Sequence, residues 1–198
     1  MLVTQATYLE TTTPAIHVTQ AFGNSVEETI AIQYSNLPDE VVITHTSVET
    51  QLSDNQINCE CGMFGEKLIT LTATPTLPGT ILDTITIANA TTGFSLTIPV
   101  VINTQRYNQV VEWNDSIETI YATDVVAPFT ATAVNEITYS TSDSAIAYVD
   151  ELNQLVIQAA GVVTITAHAA ESDFYAAAQL SKTITILHAE QSIEWAYV

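Results

Sequence analysis

Five residues of this chain recur at an offset of 82: Gln109-Val110-Val111-Glu112-Trp113 returns as Gln191-Ser192-Ile193-Glu194-Trp195. The spacing is about the length of one small sandwich domain, so the chain is expected to be built from modules rather than around one continuous core. Three residues follow Trp195. The second copy therefore reads either as the opening of another module or as a strand available for some other pairing.

With 198 residues there is room for two domains or one large one, in either case long enough to bury a core without disulfides or metals. Hydrophobic residues make up 47% of the chain, which excludes a disordered polypeptide despite the charge. Most of them are Val, Ile, Ala and Leu interleaved with Thr, the composition of pleated, half-buried strands. The basic residues are Lys67, Arg106 and Lys182, against 22 acidic ones, and the net charge is −19. Three scattered cations cannot neutralise a phosphate backbone, so nucleic acid is excluded as a partner, and anionic membrane surfaces are disfavoured for the same reason. No stretch is long and apolar enough to span a membrane. A self-repelling surface is the simplest reading of this charge, with docking onto a basic partner or loose binding of divalent cations as the alternatives.

Short runs with turn chemistry between them cover the first half. Strands are expected at Ala15–Val18, Glu28–Tyr34, Val41–Thr46, Gln56–Cys61, Lys67–Ala73, Thr80–Ile87 and Phe94–Ile102, after a Thr-rich lead-in over residues 1–13. Ile69-Thr70-Leu71-Thr72-Ala73 alternates apolar and polar residues with period two, which argues for an antiparallel sandwich rather than a helical or parallel α/β domain. The second half repeats the pattern at Val110–Trp113, Phe129–Ala133, Ile137–Ser140, Ala147–Val149, Leu155–Gln158, Val162–Ala169 and Leu180–Leu187, with Gly161 at a tight turn. The junction falls at Asn103–Asn108, a short and fairly stiff hinge. The resulting organisation is residues 1–105, residues 106–190, and a tail over residues 191–198 that echoes a first strand.

Little in the sequence carries chemistry. The spacings of serine-hydrolase elbows, zinc helices, phosphate loops and calcium loops are missing, and His17, His45, His168 and His188 lie far apart in strand-like contexts. Carboxylate pairs such as Glu27-Glu28, Asp39-Glu40 and Asp150-Glu151 fall at turns or strand ends, where solvated charge is expected and calcium bound between modules is the alternative. The chain is expected to have no catalytic residues, no metal ligands and no cofactor. Cys59 and Cys61 flank Glu60, and alternation with Asn58 and Glu60 places both thiols inward and reduced. Trp113 and Tyr175 are expected to close the second module's core, although exposed coplanar rings would make a sugar-stacking platform.

Four ordered blocks bear a family likeness: Ile137-Thr138-Tyr139-Ser140-Thr141-Ser142-Asp143, Ala147-Tyr148-Val149-Asp150, Ala160-Gly161-Val162-Val163-Thr164-Ile165-Thr166-Ala167, and Asp173-Phe174-Tyr175-Ala176-Ala177. Together, over Gln109 to Leu187, they resemble bacterial immunoglobulin-like domains of the "Big" group. Residues 15–102 resemble other immunoglobulin-like domains of bacterial surface proteins more loosely, chiefly through Leu77-Pro78-Gly79. The resemblance implies an all-β fold of two tandem immunoglobulin-like antiparallel β-sandwiches and a non-enzymatic structural or adhesive role. Such modules occur in virion proteins of tailed phages and in secreted bacterial surface proteins. Met1–Gln5 lacks the pattern of a secretory signal, which favours an auxiliary decoration protein on a phage capsid or tail, located on the virion surface. The alternatives are a fragment of a bacterial cell-surface adhesin and, third, a carbohydrate-binding accessory module. The expected partners are other virion or cell-surface proteins, with host-surface glycans a further possibility. The tail is the expected point of attachment, through the alternate positions Gln191, Ile193, Trp195 and Tyr197.

Overall fold

A computed structural model describes residues 6–59, 63–114, 116–123, 129–189 and residue 194. Among the described residues there are strands and turns but no helix. The chain divides between Arg106 and Tyr107 into two compact units.

Unit 1 contains β1 (Tyr8–Thr11), β2 (Ile16–Ala21), β3 (Val26–Ser35), β4 (Val41–Thr44), β5 (Thr50–Leu52), β6 (Gln56–Ile57), β7 (Phe64–Ala73), β8 (Gly79–Asn89) and β9 (Phe94–Gln105). One layer has the order β1-β3-β7-β5 and the other β2-β9-β8-β4-β6. Period-two alternation drives the pairing. On β8, Ile81, Asp83, Ile85 and Ile87 point inward, and on β9 Ile98, Val100 and Ile102 meet them, while Leu82 between two inward positions faces water. Ile30 and Ile32 of β3 and Ile69 and Leu71 of β7 supply the opposite wall. Burying each of these apolar side chains contributes about 2 kcal/mol of apolar transfer.

The opening of the chain serves both layers. β1 pairs antiparallel with β3, then β2 pairs parallel with β9, from Ile16 opposite Val100 to Ala21 opposite Gln105. Pro14 stands between them, where its missing N–H and fixed φ take the chain out of the first ladder. Thr11 Oγ1 accepts from Thr13 N at 3.1 Å and donates to Ala31 O at 2.8 Å, holding the crossing in place.

Unit 2 contains β10 (Glu112–Trp113), β11 (Thr119–Tyr121), β12 (Ala131–Thr132), β13 (Ile137–Thr141), β14 (Ala147–Val149), β15 (Leu155–Ile157), β16 (Gly161–Ala169) and β17 (Ala178–Leu187). The split opening is repeated: β10 pairs antiparallel with β12, and β11 pairs parallel with β17. One layer is continuous, in the order β11-β17-β16-β13; facing it are two separate ladders, β10-β12 and β14-β15. Two clusters form the core. Phe129, Val163, Ile165, Ile184 and Ile186 build the larger one and Val111, Ala167 and Ala169 the smaller, with Trp113 and Tyr139 packed against both. Both units are immunoglobulin-like β-sandwiches; among the described residues their strand ladders are antiparallel except for one parallel ladder in each.

Several local expectations change. The Thr-rich lead-in contains β1, a real strand whose buried residue is Leu9. The strand expected over Gln56–Cys61 is β6, which stops at Ile57, because it is an edge strand that pairs only with Val41 and Val42. β9 runs through Gln105, so the strand takes up half of the expected hinge. Tyr175 does not join the core. Its ring lies 5.9 Å from that of Tyr107, and the two residues form an isolated bridge, because the turn before β17 carries Tyr175 away from the clusters around Trp113.

Candidate functional site

Asp83 is the group in unit 1 that most resembles a reactive one, and its side chain is fully buried. It occupies an inward position on β8, beneath the segment that leaves β4 in one layer and enters β5 in the other. Oδ1 accepts from Thr46 N at 2.7 Å, Thr46 Oγ1 at 2.9 Å, Ser47 N at 2.9 Å and Thr84 N at 2.7 Å. Oδ2 accepts from the Thr50 hydroxyl and lies 3.3 Å from His45 Nδ1. Burial pushes the carboxyl upward, but the hydrogen bonds from Thr50, Ser47 and Thr46 outweigh it and hold the group down at about 2.

Acid, histidine and hydroxyl thus meet, but not as a proton relay. The Thr50 hydroxyl and the Asp83 carboxylate both approach the same imidazole nitrogen, Nδ1, whereas a relay needs them on opposite nitrogens. What the cluster does is tie the crossover between the two layers to the core. Its one mark in the sequence is a carboxylate at a core position of Ile81-Leu82-Asp83-Thr84-Ile85, which matches no catalytic spacing.

Unit 2 has a second such pair. Ser140 Oγ and His168 Nε2 are 2.7 Å apart on the exposed face of β13 and β16. The cross-strand neighbours of His168 are Thr138 and Gln179, neither of them acidic, and the pair faces open solvent. Among the described residues no group of three or more His, Cys, Asp or Glu side chains is placed to hold a metal ion. Cys59 is half-buried against the unit 1 core, and burial raises its thiol above the ordinary range, a hydrogen bond involving Val41 opposing. Cys61 lies outside the described residues.

The stretch that leads into β10, Gln109–Trp113, is the more informative element. Gln109 is buried, and its Nε2 donates to Ala170 O at 2.9 Å and Ala176 O at 2.8 Å while Oε1 accepts from Asn135 N at 3.1 Å. One amide therefore pins two loops. Val111, two residues on, is also buried. Trp113 completes the inward row, with its ring 4.8 Å from Phe129 and 6.0 Å from Tyr139 and Lys182 Nζ 5.9 Å from its centroid. The outward residues of this stretch are Val110 and Glu112.

An open groove of about 670 Å³ lies between the segment from β12 to β13 and the turn from β14 to β15, lined among others by Ala131, Thr132, Glu136, Tyr139, Asp150 and Glu151. Its walls are bridged by Phe129 N donating to Asn153 O at 2.9 Å. No sequence signal marks this groove, and β12 beside it is two residues long. Gln191, Ile193, Trp195 and Tyr197 lie outside the described residues.

No family model matches the chain, and no curated protein matches it. Solved structures do. The titin domains z1z2 in complex with telethonin align with 95% of this chain and 100% of theirs at 11% identity and a TM-score of 0.45. The D0-D1 domain of intimin aligns with 90% and 97% at 13% identity and a TM-score of 0.31. Drosophila N-cadherin EC1-4 aligns with 92% of this chain at 12% identity and a TM-score of 0.37, and the chain spans 49% of that fragment's length. The assignment of the fold rests on the strand topology described above.

Proposed function

We propose that this chain is a non-enzymatic structural or adhesive protein, a tandem of immunoglobulin-like modules that works by presenting rigid surfaces. The observation that carries this reading is where the buried polar groups go. Asp83 secures a layer crossover, Gln109 pins two loops, and Asn89 donates to Pro38 O and Glu40 O while accepting from Thr92, so these groups are engaged in holding loops on sandwiches. In finer terms, the chain is an auxiliary decoration protein on the capsid or tail of a tailed phage, attached through Gln191, Ile193, Trp195 and Tyr197. The blocks between Ile137 and Ala177, with their likeness to bacterial immunoglobulin-like domains, support this assignment, as does a strongly acidic surface suited to crowded display.

A mass-spectrometric inventory of purified particles, made with the whole chain and with a chain lacking residues 191–198, tests it. The whole chain is expected in the particles at stoichiometric copy number and the shortened one is expected to be absent though folded. Recovery of the whole chain from bacterial cell envelopes instead would move the reading to a surface adhesin.

A further inference from the structure

Acidic side chains are unevenly shared between the two layers of unit 1. The outer face of β1-β3-β7-β5 turns Glu10, Glu27 and Glu66 to solvent. The outer face of β2-β9-β8-β4-β6 is different. Every second residue from Thr80 to Ala88 on β8 and from Ser95 to Asn103 on β9 faces out, and none of them is Asp, Glu, Lys or Arg. On the same face β2 adds His17 and Thr19, β4 adds Val42 and Thr44, and β6 adds Gln56. A chain with a net charge of −19 thus keeps one whole sheet face free of carboxylates.

The middle of that face is apolar. Leu82, 68% exposed, stands opposite Val101, and Pro99 lies diagonally across from it on β9. Thr80, Thr84, Thr97 and Asn103 surround them in the ladder. An apolar centre, a hydroxyl and amide rim and no charge are the anatomy of a protein interface rather than of a solvated sheet. These positions cover roughly 500 Å² of sheet on each copy, near the low end of what a specific dimer buries. Unit 2 has an uncharged outer face on β16 and β17 as well, but its centre is hydroxyl, and those hydroxyls bond one another, Thr164 to Thr183 at 3.0 Å and Thr166 to Ser181 at 2.8 Å.

The charge pattern also says what covers the unit 1 face. A basic partner would be met by carboxylates, which this chain has in plenty, so fitting such a partner gives no reason to clear them from one face. A second copy gives that reason. Where two identical faces meet about a two-fold axis, each residue near the axis meets its own kind. With 22 acidic side chains against three basic ones, a charge placed there would be a carboxylate facing a carboxylate.

We infer that the outer face of β2-β9-β8-β4-β6 is a self-association surface, on which unit 1 of one copy packs against unit 1 of a second with Leu82 and Val101 at the centre. Such contact between copies does not depend on where the chain attaches.

Sedimentation equilibrium of the whole chain, from micromolar to near-millimolar concentration, tests it. A monomer–dimer equilibrium is expected. It should tighten as salt is raised from about 0.01 to about 0.1 M, since screening relieves the repulsion between two acidic copies and leaves a neutral contact untouched. Leu82→Glu is expected to weaken the dimer by about tenfold or more while unit 1 melts as before, because the side chain is exposed in the single chain. A mixture of Leu82→Glu and Leu82→Lys chains should associate more tightly than either variant alone, which requires the two residues to face each other. Thr166→Glu, on the neutral face of unit 2, should change nothing. A chain that stays monomeric throughout, a dimer that loosens with added salt, one indifferent to Leu82→Glu or dissociated equally by Thr166→Glu, or variants that gain nothing from mixing would each overturn the inference.

Discussion

Asp83 Oδ1 accepts from the backbone N–H of Thr46 at 2.7 Å, so a carboxylate in the middle of β8 fixes the place where the chain leaves one layer of unit 1 for the other. Because this carboxyl is held at about 2, its stabilising effect is complete above about pH 4 and is lost as the pH falls from about 4 to about 2. Asp83→Asn should lower the stability of unit 1 by about 2 kcal/mol at neutral pH. The gap in urea midpoint between the two proteins should then close across that acid window. A gap that stays constant from neutral pH to about pH 2 would show that the ionised form is not what holds the crossover.

Gly161 opens β16 at a φ of +157°, and a Cβ built there would lie 2.8 Å from Ile146 Cδ1. Gly161→Val should destabilise unit 2 by roughly 1–2 kcal/mol through the contact and the backbone conformation together. Adding Ile146→Ala to that variant separates the two, because it removes the contact and leaves the conformational cost. Thermal denaturation of the four proteins in the cycle measures both, and an unchanged melting profile for Gly161→Val would refute the role assigned to this turn.

Gln109→Ala removes the side-chain partner of the Ala176 carbonyl and of the Asn135 N–H, and one of the two on the Ala170 carbonyl, which keeps Asn135 Nδ2 at 2.8 Å. A loss of about 2–3 kcal/mol from unit 2 is expected in urea denaturation, with unit 1 unaffected. Hydrogen exchange should report faster opening at Asn135 and across residues 170–176. Exchange at those sites indistinguishable from the parent would mean that the loops are held by other contacts.

Cys59 packs against the unit 1 core and its thiol is raised by burial. In a Cys61→Ser background the remaining thiol should react slowly with a disulfide reagent in the native protein and at the free-cysteine rate in urea. Equal rates would place Cys59 at the surface.

The long strands were legible because each carries an alternation that only one register satisfies. Ile69-Thr70-Leu71-Thr72-Ala73 and Val163-Thr164-Ile165-Thr166-Ala167 became β7 and β16 with Ile69, Leu71, Val163 and Ile165 inward. The missed strands, β1, β5 and β11, are three or four residues long, and each offers one buried residue, Leu9, Thr50 or Ile120. One inward residue sets no period. Pairing with a neighbour distant in sequence makes these segments strands, as Leu9 does opposite Tyr34 and Ile120 opposite Ile186. The Asp83 cluster escaped for a related reason, since its partners Thr46, Ser47 and Thr50 lie in a stretch whose polar composition reads as ordinary surface. The echo was visible at once. The roles of Gln109, with three hydrogen bonds, and of Trp113, between two clusters, come from contacts distant in sequence that no local pattern displays.

The parallel pairing of β2 with β9, and of β11 with β17, has a mechanical consequence. In each unit the second strand lies beside the last and runs in the same direction, so tension that reaches this pair slides the two past each other instead of unzipping them one bond at a time. β2 engages β9 along all six of its residues, whereas β11 engages β17 along three. Under load the inter-strand bonds of each pair must fail nearly together, and the shorter clasp of unit 2 yields at the lower force.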